Sequence, residues 1–139
     1  MVDIEKIKSR IAEINESLEK IRKYASLSNT EFWNDERNIL SVKHLLLVCI
    51  EACGTICVHI SAKKLHKAAS SFTECFEILQ DGGIVNKDLA EKLRNMARFR
   101  NILVHHYWKI DDEKVLEYAR NNLEDFSLFL KAVVMYLGI

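Results

Sequence analysis

Apolar side chains recur along this chain in alternating steps of three and four. Ile4, Ile7, Ile11, Ile14, Leu18, Ile21 and Ala25 form one such series. That rhythm lays a single apolar stripe along one face of a helix. A second series runs through Ile39, Val42, Leu46, Cys49, Cys53, Ile56 and Ile60, and a third through Leu116, Ala119, Leu123, Phe126, Leu130, Val133 and Leu137. Three long helices of this kind are expected to pack antiparallel at small crossing angles, as an all-α up-and-down bundle. The middle helix is apolar beyond its stripe, at Leu45, Leu47, Val48 and Ile50. It is therefore either the central helix of the bundle or part of a subunit interface.

Two shorter helices are expected between the long ones. Ser71-Phe72-Thr73-Glu74 reads as a capping box, the serine accepting from a free backbone N–H and the glutamate reaching back. That helix should stop near Leu79, because Gly82 and Gly83 suit left-handed C-terminal positions. Asn86 can cap a further helix carrying Leu89, Leu93, Met96 and Phe99-Arg100. Asp111 or Asp112 can cap the last helix, where a carboxylate also suits the positive end of the dipole. The chain has no proline and only 4 glycines, so little interrupts these helices. No strand pattern, repeat, low-complexity segment or linker divides residues 1–139, and a single domain is expected.

Composition narrows the class. With 49% hydrophobic and 29% charged residues, the chain has the makings of a soluble globular core. Its 20 basic and 20 acidic side chains cancel, which argues against non-specific coating of nucleic acid but leaves room for a local basic patch. Met1-Val2-Asp3-Ile4-Glu5 lacks the basic start of a signal peptide. No unbroken apolar run is longer than Leu45 to Ile50, far short of a membrane span, so no membrane association is expected. Cys49, Cys53, Cys57 and Cys75 have no secretory context, and a reduced, cytoplasmic protein is the expectation.

Charge is nevertheless concentrated. Between Lys92 and Ile110 stand Lys92, Arg94, Arg98, Arg100 and Lys109 with no acidic residue, joined by His105, His106, Tyr107 and Trp108. Arginine forks onto phosphate oxygens, histidine moves protons near neutral pH, and aromatic rings stack on bases. The plainer reading is a solvated helix face ending in an aromatic plug. On a regular helix Arg100 and Tyr107 share a face, whereas His105 lies about 140° from Arg100. Either the helix loosens near Val104, or the long arginine curves around, or a second subunit completes the site.

The order of these residues favours the chemical reading. Arg100-Asn101-Ile102-Leu103-Val104-His105-His106-Tyr107 resembles the motif of HEPN domains of the HepT type: arginine, a polar residue, three mostly apolar residues, histidine, any residue, tyrosine. The resemblance extends over most of the chain, through Phe32…Asp35, Glu51-Ala52, Ser71-Phe72…Phe76…Leu79, Gly83-Ile84 and Ile110-Asp111. The family often places proline or glycine before the capping-box serine, where this chain carries residues 63–69 without either. The resemblance implies a HEPN-like helical bundle and a type VII-like toxin that cleaves RNA without metal or other cofactor. It further implies a homodimer in which two motif helices meet across a two-fold axis. Arg100 and His105 would be catalytic, with Asn101 orienting one of them. Tyr107 would bind substrate or receive a nucleotide from a nucleotidyltransferase antitoxin. The alternative is a non-catalytic nucleotide-binding or adaptor module working with such a transferase.

Other sites are weaker. Cys49, Cys53 and Cys57 follow one helix face, but tetrahedral zinc sites rarely draw three ligands from one straight helix, and packing is the expected role. His59 and His66 lie near Lys63, Lys64 and Lys67 in what reads as an ordinary basic turn. His44 is expected on a helix surface, and Trp33 and Trp108 as packing or interface aromatics.

Overall fold

The computed structural model covers residues 1–139 and is all-α. Its helices are α1 (Ile4–Ala25), α2 (Asn29–Trp33), α3 (Glu36–Lys64), α4 (Phe72–Asp81), α5 (Lys87–His105), α6 (Asp112–Asn121) and α7 (Glu124–Leu137), with a 3-10 turn, Tyr107–Lys109, joining α5 to α6. The all-α bundle expected from the spacing is borne out.

Side-chain caps set most helix starts. Asn86 accepts from the Leu89 N–H at 2.8 Å. Asp111, not Asp112, caps α6 by accepting from the N–H groups of Glu113 and Lys114. Ser71 accepts from the Glu74 N–H at 3.1 Å, but the Glu74 carboxylate turns to the N–H and hydroxyl of Ser70. The expected box is thus shared between two serines. A complete capping box occurs instead at Ser28 and Glu31, starting α2, a helix too short to leave a periodic signal. Helix α4 runs on to Asp81, and of the two adjacent glycines only Gly83 is left-handed, at φ 75°.

The third long helix is in fact two. Helix α6 ends where Asn122 takes φ −125° and ψ 11°, and α7 begins at Glu124. The apolar rhythm crosses the break intact: Leu116, Ala119, Leu123, Phe126, Leu130 and Val133 are all buried. Asn121 and Asn122 have low helix propensity because their side chains compete for nearby backbone groups.

Helix α3 is central and contacts every other helix. Val42, Cys49, Cys53, Ile56, Cys57 and Ile60 along it are fully buried. By length and composition it is apolar enough to cross a membrane, but most of its apolar stretch is buried inside the bundle. The four fully buried phenylalanines, Phe32, Phe76, Phe126 and Phe129, each contribute about 1.5–3 kcal/mol of burial. Phe76 and Phe129 meet edge to face and join α4 to α7. In the loop before the capping-box serine, His66 takes the left-handed conformation at φ 54°. Histidine is among the residues that tolerate this region. Ser61 helps hold the turn by donating its hydroxyl to the Lys67 carbonyl at 2.8 Å.

Candidate active site

The motif occupies the last turns of α5 and the 3-10 turn after it. Arg100 leans onto α3, where its Nε donates to Oε1 of Glu51 at 2.5 Å. Its Nη1 donates to Oδ1 of Asn101 at 3.2 Å. The guanidinium also stands 5.3 Å from the centre of the Phe72 ring on α4, within range of a cation–π contact. Three neighbours therefore fix a side chain that would otherwise sample many rotamers. Arg100 remains partly exposed.

His105 is the last residue of α5, and His106 caps it by donating its backbone N–H to the Ile102 carbonyl at 2.8 Å. The helix stays regular through Val104, so loosening does not bring His105 toward Arg100. Both histidines are exposed. The His106 ring meets Trp108 edge to face at 5.5 Å. Since the helix ends at His105, Tyr107 does not share a helix face with Arg100 as regular spacing implied. It turns instead to α3, where Lys43 Nζ donates to its hydroxyl at 3.1 Å and lies 4.5 Å from its ring centre. The same ammonium pairs with Asp112 at 2.6 Å.

The sequence model of the HepT-like family, described as ribonuclease HepT-like, matches residues 14–133. The chain belongs to the HepT-like ribonuclease family. An mRNA nuclease HepT of Shewanella oneidensis is 26% identical over 128 residues, spanning 90% of this chain and 93% of that protein. A tRNA nuclease HepT of Aphanizomenon flos-aquae is 28% identical over 133 residues, spanning 94% and 89%. Among solved structures, a tri-AMPylated Shewanella oneidensis HEPN toxin in complex with an MNT antitoxin is similar at TM-score 0.87 and 27% identity, covering 97% of this chain and 99% of that one.

In this HepT-like chain, two site neighbours lay outside the motif reading. Glu51 is the sole acidic residue of α3 after Glu36, and Lys43 is the sole lysine of that helix before Lys63. A lone charge inside an apolar helix calls for a partner, and each finds one in or beside the motif. The two stand eight positions apart on α3, about 12 Å of helix rise. One helix thereby orients both ends of the site.

The remaining polar groups have local roles. Cys49, Cys53 and Cys57 are buried in the core, and burial pushes the Cys49 thiol up to about 12. No group of three His, Cys, Asp or Glu side chains is arranged to hold a metal ion. His59 accepts from the Asp3 N–H at 2.9 Å, tying the start of α1 to α3. Trp33 packs edge to face on Phe32, whereas Trp108 is largely exposed. A cavity of about 550 Å³ between α3, α5 and α6 is lined by none of Arg100, Asn101, His105 or Tyr107.

Proposed function

We propose that this ribonuclease is the toxin of a toxin–antitoxin pair, that it cleaves RNA as a homodimer without a metal ion, and that a nucleotidyltransferase antitoxin silences it by modifying Tyr107. The observation that carries the reading is the arrangement along α5. Arg100 is held by Glu51 and Asn101 but left accessible, and His105 is exposed at the end of the same helix. In cleavage, the ribose 2′-oxygen attacks phosphorus, the bond to the 5′-oxygen breaks, and a cyclic phosphate and a free 5′-hydroxyl result. One histidine takes the 2′-proton and its two-fold mate supplies a proton to the leaving oxygen, each role worth roughly 10²–10⁴ in rate. Arg100 stabilises the charge that builds on the phosphorane. A cytoplasmic location suits an RNA target.

The antitoxin half rests on the solved relative, an AMPylated toxin bound to its MNT antitoxin, and on the partial exposure of Tyr107. A nucleotide attached there adds a negative charge beside the RNA-binding groups.

The test compares His105→Ala with His106→Ala for RNA cleavage in excess chelator, with helicity measured alongside. His105→Ala is expected to abolish cleavage. His106→Ala should stay within a few-fold of wild type, because its capping contact uses the backbone N–H. Cleavage that vanishes in chelator and returns with a divalent ion overturns the metal-free chemistry. Equal activity of both variants and wild type promotes the non-catalytic adaptor instead. Tyr107→Phe should keep its toxicity in cells while escaping the antitoxin.

A further inference from the structure

Lys43 is the one buried lysine in the chain. Lysine is almost never buried unless paired, and the Asp112 carboxylate at 2.6 Å supplies the pair. The contact with the Tyr107 hydroxyl at 3.1 Å is additional. An ammonium has donors only, so Lys43 occupies a lone pair of the phenolic oxygen and leaves the phenol's own O–H free to donate elsewhere. Burial works against the Lys43 charge, but the Asp112 carboxylate and the Tyr107 hydroxyl outweigh it and hold its pKa above the ordinary lysine value. Lys43 therefore stays charged at neutral pH and cannot act as a base toward the phenol. Its neighbour Tyr107 is nearly half exposed, so a buried, fixed cation stands behind a partly exposed tyrosine.

We propose that Lys43 is the positioning residue for nucleotide transfer to Tyr107, aiming the hydroxyl at the α-phosphorus of a nucleoside triphosphate and then holding the phosphodiester that forms. The assignment rests on the reading of Tyr107 as the modified residue. In the step, the phenolic oxygen forms a bond to the α-phosphorus, the bond from that phosphorus to the bridging oxygen breaks, and pyrophosphate leaves with the electron pair. The phenol proton passes to a base of the transferase or to water. The product carries a new negative charge on the non-bridging phosphate oxygens, two bonds from the phenolic oxygen, where the Lys43 ammonium can make a charge-assisted hydrogen bond of about 2.8 Å. Lys43 then serves two anions, the phosphodiester and Asp112.

The experiment uses the full chain, ATP and its partner nucleotidyltransferase, with adduct formation at Tyr107 followed by mass spectrometry. Lys43→Met is expected to lower kcat for transfer about 10²-fold with KM for ATP unchanged. Lys43→Arg, which keeps the charge and donors, should recover most of the loss. Asp112→Asn breaks the same ion pair yet leaves the ammonium beside the phenol, so it should fall much less than Lys43→Met, with each variant assayed below its melting temperature. Wild-type kcat in Lys43→Met, or an equal fall in Asp112→Asn, overturns the assignment and leaves Lys43 a structural tie. A crystal structure of modified wild-type protein needs no variant to fold: Lys43 Nζ on a non-bridging phosphate oxygen supports the proposal, and Nζ turned away from the phosphate rejects it. A wild-type chain that never accepts nucleotide at Tyr107 removes the modification reading itself.

Discussion

Arg100 Nε and Glu51 Oε1 lie 2.5 Å apart, joining the motif helix to the central helix through a half-exposed ion pair. Pairs this accessible are worth about 1 kcal/mol or less in stability. The contact matters more for where it holds the guanidinium. Glu51→Ala should therefore leave the melting temperature within a few degrees of wild type while lowering RNA cleavage by about 10–10²-fold, the scale expected for a catalytic group displaced by about an ångström. Steady-state kinetics beside a thermal melt make the comparison. Unchanged cleavage in Glu51→Ala would show that Arg100 needs no such support.

Gly54 makes a second, oppositely signed test. Replacing glycine by alanine inside a helix ordinarily gains about 1 kcal/mol. Here a Cβ at Gly54 would overlap the Phe72 ring, and that ring faces the Arg100 guanidinium. Gly54→Ala is expected to destabilise the fold by about 1–3 kcal/mol, the usual cost of overpacking, and to weaken cleavage by displacing the ring. A denaturant titration showing higher stability would mean that Phe72 repacks freely.

Much of this was legible in the chain. The three-and-four rhythm located α1 and α3, and the caps at Asn86 and Asp111 placed two helix starts. The break at Asn122 was hidden because the apolar stripe runs straight through it, and periodicity reports the buried face rather than backbone continuity. Within the site, the motif pointed to Arg100, Asn101, His105 and Tyr107, but spacing along one helix cannot reveal partners from another. Glu51 entered only as part of the wider family resemblance, with no partner assigned, and Lys43 was visible only as an isolated charge in an apolar helix. Their pairing with Arg100 and Tyr107 joins positions 49 and 64 residues apart, which only the packed bundle brings together.

Alkaline pH should unfold the protein by a route the core dictates. Burial raises the Cys49 thiol from an ordinary value of 9.0 to about 12, and it pushes Cys53 and Cys57 upward too. A thiol that binds its proton more tightly folded than unfolded contributes stability that is fully present below the unfolded pKa. That contribution is lost as pH rises from about 9 toward the folded value. Denaturation midpoints are therefore expected to hold steady to about pH 8.5 and then fall. A disulfide exchange reagent at pH 8 should react with the buried thiols only as fast as the protein opens. Immediate reaction of all 4 cysteines in the native protein would contradict the packed core.

The proposed homodimer can be tested at the end of the motif helix. Helix α5 is regular to His105, so the angular separation of that residue from Arg100 persists within one chain. Beside them Val104, Tyr107 and Trp108 are 45%, 45% and 75% exposed, an unusual density of apolar surface at one helix end. A two-fold partner seated there would cover these side chains and bring a second His105 and Arg100 to one cleft. Light scattering at micromolar concentration is expected to give twice the chain mass of 16.1 kDa. Val104→Asp should place a carboxylate in that contact, halve the observed mass and abolish cleavage while helicity stays intact, since Val104 lies outside the core. A monomeric Val104→Asp protein that cleaves RNA at the wild-type rate would show that one chain holds the whole catalytic apparatus, and the acid and base would then have to be sought among its own side chains.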